Sequence, residues 1–158
     1  VLFTDFHLNF TAKKNMATIR FLDRIVSEIE TQVNSQIKVK KQFRMLLTTP
    51  GIGTILGLTI MLEVGDINRF FKAGHYSSYC RCVESKKISN GNRYLAWAYV
   101  EAANHAIRTC PKAQRFFQRQ MSKRNRVLAT KAVANKLTKA TYYIMRDQLA
   151  FDAAKLFG

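Results

Sequence analysis

Leu46–Phe70 reads LLTTPGIGTILGLTIMLEVGDINRF, an apolar helical stretch that stops at Pro50-Gly51-Ile52-Gly53 and resumes at Thr54. Proline cannot continue a helix and the two glycines allow the backbone to turn sharply. The pattern predicts a short helix from Phe43 to Thr48, a hairpin, and a second helix from Thr54 to Val64 closed by Gly65. The first amides of a helix have no partner within it, and they suit an anion. Gly51, Ile52, Gly53 and Thr54 are therefore candidate phosphate contacts in a helix-hairpin-helix element over residues 43–65. An ordinary helical corner with Ile52 buried is the other reading of the same residues.

Working outward, Ile19, Leu22, Val26, Ile29 and Val33 are separated by alternating steps of three and four. That seam predicts one long amphipathic helix between Lys13 and Phe43, either packed within the chain or paired with a second copy as a coiled coil. Residues 1–42 are thus expected to form a linker helix and residues 43–158 a helical domain. After the hairpin, Asp66 should cap a short segment, Ile67–Phe71, with Phe70 and Phe71 as anchors. A helix over His75–Arg81 leads into a polar stretch, Cys82–Gly91. Three more helices are expected at Asn92–Thr109, Pro111–Lys123 and Arg126–Leu149. The alanines of the first are small enough to admit a neighbouring backbone. No segment alternates as a strand would, so the fold class is all-α.

Lys and Arg number 26 against 10 Asp and Glu, a net charge of +16. After Glu101 no acid occurs until Asp147, an interval that holds Lys123, Arg124 and Arg126 among eleven cations. A surface with so little compensation points to a polyanion, nucleic acid before an acidic membrane. No apolar run approaches the length of a membrane span, which predicts a cytoplasmic protein without membrane contact. The three cysteines make no disulfide framework, and with His75 and His105 they match no zinc spacing. Tyr94, Trp97 and Tyr99 would serve an RNA-binding reading, but at helical spacing beside alanines they fit core packing.

Taken together, GIGTILGLTIMLEVGDINRF, YSSYCRCVESKKISNGNRYLAWAYVEAANHAIR, RFFQRQ and KAVANKLTKATYYIMRD resemble the C-terminal part of the insertion-sequence transposases related to the Piv DNA invertase. The resemblance covers nearly the whole chain. It implies a recombinase whose N-terminal RuvC-like domain carries four acidic residues for Mg²⁺, and whose C-terminal domain supplies a serine that attacks a DNA phosphodiester. It also implies a structured guide RNA and double-stranded DNA as partners.

Carried onto this chain, the family's Ser-x-Gly motif falls on Ser89-Asn90-Gly91, making Ser89 the nucleophile; serving as an N-cap of the following helix is its other reading. Arg93 would hold a phosphate there, with Arg81, Lys86 and Lys87 along the approach. The sequence departs from the family in two ways. A glycine- and lysine-rich loop after the motif is absent, because SNG runs directly into NRYL, and no residues resemble the acidic metal set. The expectation is a fragment with no cofactor of its own, inactive alone, that binds DNA and self-associates through its first helix. A non-catalytic helix-hairpin-helix module is the alternative.

Overall fold

The computed structural model describes residues 4–37, 40–83 and 90–157. Helix is the only regular structure among them, as the pattern predicts, and they divide into two units at residues 39 and 40.

The first unit is α1, Phe6–Ile37. It begins earlier than the seam suggests because the Asp5 carboxylate accepts from the Leu8 amide at 2.9 Å and caps it. The seam residues Ile19, Leu22, Val26 and Ile29 are each more than half exposed along it.

The second unit starts a few residues before the expected boundary, because α2 (Lys41–Leu46) is already anchored to it: the Gln42 amide donates to the Met145 carbonyl at 3.0 Å. α3 spans Thr54–Val64, as read from the sequence, and Gly65 closes it by donating to the Met61 carbonyl. Asp66 caps a single 3₁₀ turn, Ile67–Arg69, through the Asn68 amide. Phe70 packs against Tyr76 and Tyr79, whereas Phe71 is 87% exposed and anchors nothing, a correction to its expected role. Then follow α4 (Ala73–Tyr79), α5 (Arg93–Thr109), α6 (Pro111–Met121), α7 (Arg126–Asp147) and α8 (Ala153–Phe157).

The core forms around α7, which packs against α2, α4, α5 and α6. Val133, Leu137 and Met145 are buried along it, and among them runs a set of hydroxyls that satisfy one another. Tyr99 bonds the Tyr76 hydroxyl at 2.7 Å and the Thr141 hydroxyl at 2.6 Å, and Ser77 bonds Thr138 at 2.8 Å. α7 stops at Asp147 rather than Leu149, where Gln148 takes up a left-handed conformation. The chain can then fold back, setting the Phe157 ring 5.8 Å from that of Phe116. The sequence reading has no counterpart to α8.

Candidate nucleic-acid interface

The hairpin is held by α5. Gly51 has φ +85°, and a Cβ there would lie 2.1 Å from the Ala102 carbonyl oxygen and 2.9 Å from the Ala106 amide nitrogen. Ala98, Ala102, Ala103 and Ala106 are completely buried, so the expectation that this helix admits another backbone is met by the hairpin itself. Ile52 is buried and its amide donates to the Thr49 carbonyl at 3.0 Å, so that donor is spent inside the turn. Gly53 takes the N-cap position of α3 with no side-chain cap, and Gly53, Thr54 and Ile55 are exposed. Of the four candidate amides Ile52 is thus occupied, while Gly53 and Thr54 lie on the exposed start of α3. They border an open groove of about 780 Å³, whose other wall on α5 includes Trp97, Glu101 and His105.

The second region is the stretch around Ser89. Ser89, Lys86 and Lys87 lie outside the described residues, but the chain on either side shows how the stretch is held. Arg81 ends the preceding turn at φ +54° instead of extending α4, and its Nε donates to the Gly91 carbonyl at 2.9 Å. The Asn92 amide donates to the Tyr79 carbonyl at 2.8 Å, and Gly91, at φ +139°, passes so close that a Cβ would sit 2.7 Å from that same oxygen. The two ends of the segment are therefore joined at its base. On one side Asn135 of α7 donates to the Cys82 carbonyl and to the Ser77 hydroxyl, both at 2.9 Å. On the other, Asn92 donates to the Glu63 carboxylate at 2.5 Å.

Asn92 is also the N-cap of α5, accepting from the Tyr94 and Leu95 amides. That removes the reading of Ser89 as this helix's cap. Bonds from Arg69 and then Asn92 hold the Tyr79 phenol below its ordinary range, so this corner is polar and rich in donors.

The remaining sequence candidates do not converge on one spot. Arg93 is exposed at the start of α5, its guanidinium 5.0 Å from the Tyr94 ring and bonded to that hydroxyl. Lys123, Arg124 and Arg126 are all exposed around the α6–α7 turn. Arg124 borders one groove between α6 and α7, while Arg126 borders a separate hollow of about 300 Å³ with Arg108, Asn104 and Glu101. Tyr99 is core, as the packing reading has it, but Tyr94 and Trp97 are each about half exposed and are not.

Burial pushes the Cys82 thiol up to about 12 and the Cys80 thiol higher still, so both are neutral. Among the described residues no three His, Cys, Asp or Glu side chains come together as a metal site, and neither zinc nor the Mg²⁺ implied by the family resemblance finds a fitting donor set. No helix among them is long and apolar enough to cross a membrane.

These features define a class: a basic helical domain with a glycine hairpin seated on an alanine-rich helix and a polar segment clamped at both ends. Comparison with known proteins finds distant similarities. Residues 43–118, from α2 into α6, match the Transposase IS116/IS110/IS902 family. The chain is 22% identical over 137 residues to an uncharacterized 43.6 kDa protein of insertion element IS110 from Streptomyces coelicolor, a match covering 79% of this chain and 34% of that protein. It is 23% identical over 87 residues to the transposase for insertion sequence element IS1111A from Coxiella burnetii, covering 55% of this chain and 24% of the other. The matched regions thus span about a third and a quarter of these relatives. The match to the Transposase IS116/IS110/IS902 family is confined to part of the chain, residues 43–118, which hold the hairpin and the alanine-rich helix.

Proposed function

We propose that this chain is the serine-bearing part of a transposase, binding double-stranded DNA and supplying Ser89 to strand cleavage and exchange. The observation that carries the reading is the clamp around residues 84–89. Arg81, Gly91 and Asn92 close its base, and Asn135 and Glu63 fasten its two sides to the core. Fastened flanks on a packed helical core are what a reactive segment between them requires. The uncapped α3 amides at Gly53, Thr54 and Ile55 give a second contact to the DNA backbone. Lys86, Lys87 and Arg93 have the charge to hold phosphates near the serine.

A serine hydroxyl needs activation, and no carboxylate set for it exists among the described residues. The acidic domain, and any Mg²⁺ it holds, therefore belongs to another part of the protein or another chain, and this chain alone is inert. A structured guide RNA is a further partner on this reading, and α1 joins copies through its exposed seam. In every case the chemistry expected of these residues is binding and nucleophilic attack.

The experiment is a cleavage assay with the acidic domain supplied, on DNA of the element's end nicked so that religation is blocked. A covalent protein–DNA adduct is expected with the native chain and none with Ser89→Ala of unchanged fold. An adduct that survives Ser89→Ala refutes the assignment. Absence of any adduct alongside retained duplex binding favours the non-catalytic helix-hairpin-helix module.

A further inference from the structure

The groove between α6 and α7 shares no lining residue with the hairpin groove, and has a volume of about 440 Å³. Arg124, Lys131, Lys136 and Lys139 border it, and among the described residues no carboxylate does. Like charges gathered in a concave, partly desolvated surface repel one another and weaken the fold. Lys136 shows that cost, since burial first, and then the neighbouring Arg119 and Lys139, push its ammonium below the ordinary lysine range. It is nevertheless held in place: its Nζ donates to the Leu156 carbonyl at 2.5 Å and lies 4.8 Å from the Phe116 ring centre. The fold thus uses α8 to fix a cation in a basic groove.

At one end the groove reaches Cys82 and Val83, the last described residues before the segment that bears Ser89. Cys82 is fastened to α7, because the Asn135 side-chain amide, itself on the groove wall, donates to the Cys82 carbonyl.

We propose that this groove is a track for a nucleic-acid sugar-phosphate backbone, which Lys131 and Lys139 grip from α7 and which leaves the groove at Cys82–Val83. The inference rests on the nucleic-acid reading above but assigns binding to a surface outside the hairpin. A concave channel lined by cations on one helix and closed by a turn fits a strand of phosphates better than it fits the plane of a membrane.

The test measures binding of the full chain to a fluorescent 20-base-pair duplex as a function of salt. Compared are the native chain, Lys131→Gln/Lys139→Gln, Lys131→Arg/Lys139→Arg, and Thr54→Glu, which sets a carboxylate at the hairpin. The Gln pair should lose roughly tenfold or more in affinity at low salt, with the slope of log K against log salt shallower by about 1–2, since each lost phosphate contact accounts for about 0.9. The Arg pair should bind as the native chain does. Gln-pair binding at native strength, with Thr54→Glu defective, overturns the track while leaving the hairpin contact standing. No native binding to any nucleic acid overturns the underlying reading as well. Equal, lysine-dependent binding to anionic phosphatidylserine vesicles assigns the groove to membranes and overturns the proposal. Circular dichroism melts confirm that the variants are folded.

Discussion

Replacing Gly51 by alanine would place a methyl carbon 2.1 Å from the Ala102 carbonyl oxygen and 2.9 Å from the Ala106 amide nitrogen. Both are backbone atoms of α5, so no side chain can swing aside, and either the hairpin lifts or the helix bends. Overpacking of this kind costs about 1–3 kcal/mol. The φ of +85° adds about 1–2 kcal/mol for any residue with a Cβ. The expected loss is therefore roughly 2–5 kcal/mol, a large share of the 5–15 kcal/mol that holds a typical domain together. Gly53 is the internal control. It has extended backbone, and a Cβ added there would meet nothing within 4 Å, so Gly53→Ala should cost no more than about 1 kcal/mol, the scale of a changed N-cap. Urea titration followed by circular dichroism gives both numbers from the midpoint and slope. At ordinary slopes of about 1–3 kcal/mol per molar, Gly51→Ala should lower the midpoint by about 0.7 M or more. If Gly51→Ala and Gly53→Ala melt at the same midpoint, the hairpin does not sit on α5 and the phosphate contact proposed for it falls.

Asn92→Ala removes the α5 cap and the bond to Glu63 together and should destabilise the fold by about 1–3 kcal/mol, read by the same titration. A change under about 0.5 kcal/mol would mean the base of the 84–89 segment is not fastened as described. Stability should also fall in alkali. Burial raises the hydroxyls of Tyr76 and Tyr99 and the thiols of Cys80 and Cys82 above their unfolded values. Each raised value contributes stability that is complete below the unfolded pKa and is lost as pH rises toward the folded one. Thermal melts should hardly shift from these groups below about pH 8 and should drop steadily above about pH 9, where exposed thiols are already mostly ionised. A melting temperature that stays level to about pH 11, beyond the ordinary range of thiols and phenols, would contradict their burial.

The fold was legible where a residue type acts locally. Pro50 and Gly51 mark the hairpin, Gly65 and Asp66 mark the end of α3 and the next turn, and the alanines of α5 announce a close backbone. Each works through its own φ, cap or small volume, which a sequence displays directly. What escaped depends on partners distant in the chain. Asn135 looks like any polar residue on a helix until Cys82 and Ser77 are beside it, and α8 exists because Phe157 meets Phe116 and Lys136 meets the Leu156 carbonyl. The same limit explains the shift within the candidate site. Glycines next to a helix start suggest free amides, but the Ile52 amide between them is taken by the Thr49 carbonyl. Phe71 and Tyr94 share a related cause, since aromatic character alone does not say which ring the tertiary fold covers.

The seam of α1 poses a question that magnitude can answer. Complete burial of a Val, Leu or Ile side chain stabilises by about 1.5–3 kcal/mol, and Ile19, Leu22, Val26 and Ile29 are each a little more than half exposed. Two copies pairing along this stripe would cover eight such side chains, for a gross gain on the order of 6–12 kcal/mol. Association costs about 4–15 kcal/mol in lost translational and rotational freedom, so the net is small. The seam alone should therefore give a weak dimer that dissociates on dilution, with Arg24 and Glu28, 3.8 Å apart on the same helix, adding little from an exposed position. Sedimentation equilibrium across a hundredfold concentration range should show a monomer–dimer equilibrium. Leu22→Asp with Val26→Asp should leave monomer throughout, because each dimer would then bury four carboxylates. A tight dimer that persists at nanomolar concentration would place the main interface elsewhere, and a dimer indifferent to both substitutions would show that α1 does not pair through this face.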